Sequence, residues 1–230
     1  DTLAGGFVAG LKPTGNKDPF ALRRNALGLA RILLEGNFDL SLKDLLNNAI
    51  TLQPIQSVDA SIENLTDFTY DRLRSYFNEQ GFNEQQFDAV NSVAHDSLPD
   101  FAKRLAAVAE FTKMPEAASL AAANKRIANI LKKSASEAAE YVSEDLLDDQ
   151  AEKGLWQAIK QLEQSNTSKL QACDYVAVLQ ALASLRAPVD SFFDSVMVNA
   201  DDLHVRANRL ALLRTIALQF NTVGDISLLA

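Results

Sequence analysis

Pro188-Val189-Asp190-Ser191-Phe192-Phe193-Asp194-Ser195-Val196-Met197-Val198, then Asp201-Asp202, then Arg206-Ala207-Asn208-Arg209-Leu210-Ala211-Leu212-Leu213-Arg214, is the stretch that decides the fold. It reads as a short helix carrying an aromatic pair, an acidic hinge, and a long, nearly all-apolar helix with an Asn-Arg pair near its start. A helix that is apolar on most of its faces belongs in the middle of a helical bundle. No catalytic motif lies in the stretch.

Working outward from it, nearly everything reads as helix, and the fold class is all-α. Asp18 followed by Pro19 has the form of an N-cap and a first helical position. That helix runs from Phe20 to Glu35 and stops at Gly36. Ser41 caps the next one, with Leu42, Leu45, Leu46, Ala49 and Ile50 at helical spacing. Ile62, Leu65, Phe68, Leu73 and Phe77 stripe a third, ending near Gly81. Asn83 caps a short helix with Phe87 and Val90. Ser97-Leu98-Pro99-Asp100 reads as a break, which sets two domains, 1–98 and 99–230. Beyond it the pattern predicts helices from Phe101 to Phe111 and from Glu116 to Lys133. Residues 134–143 read as a connection with some helix. Residues 144–164 and 168–186 read as a helical pair, joined by the polar Gln164-Ser165-Asn166-Thr167. No alternating run of strand length and no internal repeat stands out.

Composition narrows the function classes. The chain has 230 residues, 47% hydrophobic and 23% charged, within the range of ordinary globular proteins. No apolar run approaches the roughly 18 residues of a membrane span, so no membrane partner is expected. The sequence starts at Asp1 inside what looks like a helix already under way, and is read as part of a longer protein; no signal peptide is seen. One cysteine, Cys173, excludes an internal disulfide and fits a reducing, cytoplasmic location. Its helical context predicts a buried, inert thiol. The net charge of −8 argues against nonspecific nucleic-acid binding unless positive charge is concentrated locally.

It is so concentrated. Between Phe101 and Lys133 stand Lys103, Arg104, Lys113, Lys125, Arg126, Lys132 and Lys133, against only Glu110 and Glu116. On the helix from 116 to 133, Leu120, Ala123, Ile127, Ile130 and Leu131 form the core stripe. Lys125, Asn129, Lys132 and Lys133 share the opposite face, with Arg126 on its shoulder. Cations interleaved with an amide suit phosphates and base edges. Equally, such a face is commonly just solvated, and Lys132 and Lys133 complement a helix C-terminus. Arg209, in the most apolar helix, calls for a structural ion pair, with Asp194, Asp201 and Asp202 in reach. Arg206, one turn earlier, reads as exposed and as a further RNA contact. Phe192-Phe193 reads as core. His95 and His204 lack partners at metal-ligand spacing, so no metal site is expected. Lys12-Pro13-Thr14-Gly15-Asn16-Lys17 lacks the pattern of a phosphate loop. No catalytic residue is identified.

Four segments, in order and spanning the chain, resemble the beta subunit of bacterial two-subunit glycyl-tRNA synthetase. They are Asp1-Thr2-Leu3-Ala4-Gly5 with Lys12-Pro13-Thr14-Gly15 and Asp18-Pro19-Phe20-Ala21-Leu22-Arg23-Arg24; Ala121-Ala122-Ala123-Asn124-Lys125-Arg126-Ile127-Ala128-Asn129-Ile130-Leu131; Phe192-Phe193-Asp194-Ser195-Val196-Met197-Val198; and Asn208-Arg209-Leu210-Ala211-Leu212-Leu213 with Asp225-Ile226-Ser227-Leu228-Leu229. The resemblance implies that residues 1–98 are the end of an HD-like helical domain and its following helices. It implies that residues 99–230 are a helical anticodon-binding bundle. The partners it implies are tRNA(Gly) and the glycyl-tRNA synthetase alpha subunit, in an alpha2beta2 assembly. In that assembly the alpha subunit uses ATP and Mg to attach glycine, and this chain binds the tRNA without catalysing. On the second segment it singles out Lys125, Arg126 and Asn129 as RNA contacts. Residues 134–170 and 53–59 match the family only loosely, and HD metal ligands would lie upstream of Asp1. The alternative is a helical scaffold for protein–protein contacts, expected to show an uncharged groove and an exposed apolar patch.

Overall fold

The structure, a computed structural model, describes residues 2–54, 61–93, 97–134 and 137–230. Asp1, His95 and most of the 53–59 stretch lie outside the described residues. Among those described, the regular elements are helices, with isolated bridges and no strand. The chain divides into two compact units, Asp1–Phe87 with Ala94–Lys103, and Asp88–Val93 with Arg104–Ala230. The expected boundary at 98/99 falls instead near Lys103, because Ser97 is not a break. Its hydroxyl accepts from Asp100 N at 3.2 Å and caps a helix that runs straight on through Phe101.

The first unit holds α1 (Thr2–Val8), α2 (Leu22–Glu35), α3 (Leu42–Thr51) and α4 (Ile62–Glu79). α1 packs on α2, α3 and α4. Its Phe7 is fully buried and meets Phe68 edge-on at 5.2 Å. Gly6 permits that packing: a Cβ there would lie 2.7 Å from a Leu22 methyl carbon. α2 begins later than expected. Pro19 precedes it, Ala21 adopts a left-handed φ of 54°, and the helix starts at Leu22. Asp18 still caps it from outside, accepting from Leu22 N at 2.8 Å and Arg23 N at 3.0 Å. At its other end the left-handed residue is Asn37, one position beyond Gly36. Lys17 and Thr14 close a small turn held by Arg23 on the Gly15 carbonyl. Phe20, Ile32, Phe38, Leu40 and Leu52 are exposed in this unit. α5 (Glu84–Asn91) is capped reciprocally, Asn83 accepting from Gln86 N and Gln86 from Asn83 N.

α6 (Leu98–Phe111) begins in the first unit and ends in the second, where it leads to α7 (Ala117–Lys133), then to α8 (Gln150–Gln171), α9 (Tyr175–Ala181), α10 (Arg186–Ser195) and α11 (Leu203–Phe220). α11 packs on both α7 and α8. Leu210, Ala211, Leu212, Leu213, Ile216 and Phe220 are all buried, as a helix apolar on most faces requires. The closing turn Ile226–Leu229 folds back on α7. Buried Asn124 ties it down, donating to Asn221 Oδ1 and Asp225 Oδ1.

Four expectations are corrected here. Residues 137–143 form turns and extended segments without helix. Gln164-Ser165-Asn166-Thr167 is no connector but lies inside α8. Ser165 and Thr167 donate back to the carbonyls of Leu162 and Glu163, and Asn166 is buried, so short polar side chains are satisfied without breaking the helix. The break comes at Cys173, whose φ is 53°. Asp174 N reaches Lys169 O and Cys173 N reaches Leu170 O, the Schellman pattern that normally uses glycine. Cys173 is therefore exposed, not buried. Finally, Tyr175–Ser195 is one helical stretch long and apolar enough, by length and composition, to cross a membrane. Tyr175, Val178, Leu179, Leu182, Leu185, Val189 and Phe192 are buried within the unit, and Arg186, Asp190 and Asp194 interrupt its surface.

Candidate nucleic-acid interface

α7 sorts its residues cleanly. Ala117, Leu120, Ala121, Asn124 and Ile127 are buried. Lys125, Arg126, Asn129, Lys132 and Lys133 are all exposed. Ala123, Ile130 and Leu131, expected in the core, are only half-buried; buried Asn124, unforeseen, occupies the stripe because its polar partners come from the closing turn. Three of the seven cations between 101 and 133 leave the cluster. Lys103 belongs to the first unit. Lys113 pairs with Glu110 at 2.6 Å. Arg104 donates to the carbonyls of Thr222 and Val223 and lies 4.4 Å from the centre of the Tyr175 ring. What remains is the row on α7.

That row edges a cleft of about 400 Å³ lined by Ala122, Lys125, Arg126, Asn129, Ile130 and Lys133, with Ala230 at its side. The floor is apolar and the rim cationic. Lys125 donates one hydrogen bond, to the Ala230 oxygen at 3.0 Å. Arg126 lies over the Phe193 ring, 3.9 Å from its centre. Among the described residues no carboxylate pairs with Lys125, Arg126, Lys132 or Lys133. Lys132 and Lys133 also occupy the last turn, where cations complement the helix dipole.

The remaining predicted positions stand apart from this row. Arg206 is a third exposed and faces Glu137 at 3.4 Å, so its charge is already opposed. Arg209 does make an ion pair, but not with Asp194, Asp201 or Asp202. Its Nε donates to Glu152 Oε1 at 2.5 Å, and its Nη1 donates to the Met197 carbonyl. Glu152 is fully buried, and its other oxygen accepts from Asp149 N. One carboxylate thus closes the cap of α8 and neutralises Arg209 of α11. Asp202 instead caps α11, accepting from Val205 N and His204 N, and those two N–H groups hold its carboxyl below the usual range. Neighbouring Asn208 is buried and clasps Ser143 through both main-chain groups. Phe192 is buried as expected, whereas Phe193 is half-exposed and carries Arg126. Among the described residues no group of three His, Cys, Asp or Glu could hold a metal.

A row of cations that meets no opposing carboxylate among the described residues suits the phosphates of a nucleic acid. Residues 120–226 match the family described as the DALR anticodon binding domain. Residues 1–92 match the family described as the glycyl-tRNA synthetase beta subunit. The whole chain is 48% identical to a glycine–tRNA ligase beta subunit of Methylobacillus flagellatus, of which it covers 33%. Over 98% of its length it is 47% identical to that of Xanthomonas campestris pv. campestris, again covering 33%. The match to the glycyl-tRNA synthetase beta-subunit family thus covers residues 1–92, and the chain spans about a third of the length of the curated relatives it matches.

Proposed function

We propose that this chain is a noncatalytic, tRNA-binding portion of a glycine–tRNA ligase beta subunit, and that the cationic face of α7 contacts the RNA. In this reading the chain holds tRNA(Gly) while an alpha subunit, in a cytoplasmic alpha2beta2 enzyme using ATP and Mg, attaches glycine. The carrying observation is the exposed set Lys125, Arg126, Asn129 and Lys133 around one cleft, with exposed Lys132 beside them on α7, inside the part of the chain that matches an anticodon-binding domain. Cations supply affinity through phosphates, and the amide and cleft supply contact to bases. Arg206, opposed by Glu137, is left out of the contact set.

The test is a titration of this chain with a tRNA of glycine identity and an unrelated tRNA at two salt concentrations. A variant with Lys125, Arg126 and Lys132 all changed to Ala runs alongside. Selective, salt-sensitive binding that the variant loses is the expected result. Equal binding of the two tRNAs, or an unaffected variant, would leave the α7 face a solvated surface and return the chain to the scaffold reading.

A further inference from the structure

Arg126 is placed for more than attraction of phosphate. Its guanidinium carbon lies over the Phe193 ring, 3.9 Å from its centre, a close cation–π contact. Phe193 is itself braced edge-on, at 5.5 Å, by Phe192, which is fully buried. Among the described residues Arg126 has no carboxylate and no hydrogen-bond partner. It is a flat cation held by an aromatic ring alone, and it lines the cleft that Phe193 does not reach. A cleft of about 400 Å³ falls within the roughly 300–1,000 Å³ of small-ligand sites. Its floor, Ala122 and Ile130, is apolar. Asn129, on the same rim, carries both a donor and an acceptor in an amide without a hydrogen-bond partner among the described residues.

Resting on the tRNA-binding reading, we propose that this cleft takes one unpaired base of a single-stranded loop. The base stacks on the open face of the Arg126 guanidinium, in the order Phe192, Phe193, Arg126, base. Asn129 meets its edge, and Lys125 and Lys133 take the phosphates on either side. Splayed bases are commonly bound on guanidinium planes and aromatic rings in this way, whereas a row of cations reading only a duplex needs neither a stacked arginine nor an apolar floor. Phe193 is then a positioning residue, since it sets the plane of the guanidinium without touching the base.

The experiment uses this chain and a stem–loop RNA with the anticodon-arm sequence of a glycine tRNA. Loop nucleotides are replaced one at a time by an abasic sugar-phosphate. With the unaltered chain, one abasic position is expected to weaken binding about tenfold, the scale of one lost base stack. Arg126→Lys keeps the charge but not the plane. It is expected to weaken binding of the intact loop by a similar factor, to keep the salt dependence, and to be indifferent to that same abasic position. Phe193→Leu keeps an apolar neighbour for the core and is expected to show a smaller loss at the same position, with a thermal unfolding curve confirming a folded chain. If no abasic position matters, yet the stem–loop binds and the triple alanine variant loses it, the cleft takes no base and the inference fails while the tRNA-binding reading stands. An abasic loss that Arg126→Lys leaves unchanged overturns the role of Arg126. Absence of binding to both the stem–loop and the tRNA overturns both readings.

Discussion

Glu152 carries two duties at once: it closes the N-terminal cap of α8 and receives Arg209 while fully buried. Removing one partner of such a pair leaves a buried charge without compensation. Glu152→Ala is expected to destabilise the chain by about 3–5 kcal/mol in denaturant unfolding. Arg209→Met combined with Glu152→Met should lose less than the two single changes added together, because both charges then go. A gentler reporter is Glu144. Its carboxylate accepts from Lys160 at 2.8 Å and from the indole of Trp156 at 2.9 Å. The Lys160 bond first, and then the Trp156 bond, hold its carboxyl below the usual glutamate range. A carboxyl depressed in this way adds stability that is present above its unfolded pKa and lost as pH falls through the lower folded value. Trp156 is the single tryptophan, so its fluorescence should change in acid with a midpoint below the usual glutamate range. Lys160→Met is expected to move that midpoint upward. The pairing of Arg209 was legible in sequence as a need, since a cation in an apolar helix must find a partner. Its identity was not, because Glu152 lies 57 residues away and only the packing of α8 on α11 brings it near.

Helices were read from spacing where an apolar stripe or a cap made them visible: Ser41 and Asn83 cap as expected. Errors fell where polar residues belong to helix interiors. Ser165, Asn166 and Thr167 look like a connector, yet each finds a partner in or beside α8. The cost of the true break is visible at Cys173, which takes a left-handed φ of 53°. An L side chain there costs roughly 1–2 kcal/mol, and glycine is free of that cost. Cys173→Gly should raise stability by about 1 kcal/mol, measured as a rise in unfolding midpoint without change of slope. In the centre of the second unit the opposite holds. Leu212 is fully buried on α11, and Leu212→Ala is expected to cost about 2–5 kcal/mol.

At the scale of the whole molecule, charge is distributed against the average. The chain carries −8, yet four cations on α7 have no opposing carboxylate among the described residues. Each phosphate neutralised on a single strand contributes about 0.7 to the slope of log affinity against log salt. The three lysines, with Arg126 stacked under a base, predict a slope of about −2, and the Lys125, Arg126, Lys132 alanine variant should flatten it to about −1. Filter binding across a salt series measures both. The row itself was legible from positions 125, 129, 132 and 133. The Arg126 stack was not, since Phe193 belongs to another helix 67 residues on, and the apolar look of Phe192-Phe193 concealed that its second ring faces outward.

The exposed thiol of Cys173 has one more consequence. It is the chain's only cysteine, fixed at a helix end rather than on a floppy tail. Its covalent valence is one. Left in air without reductant, the protein can be linked through this sulfur to a single neighbour and no further, so oxidation ends at a covalent pair and cannot grow into a network.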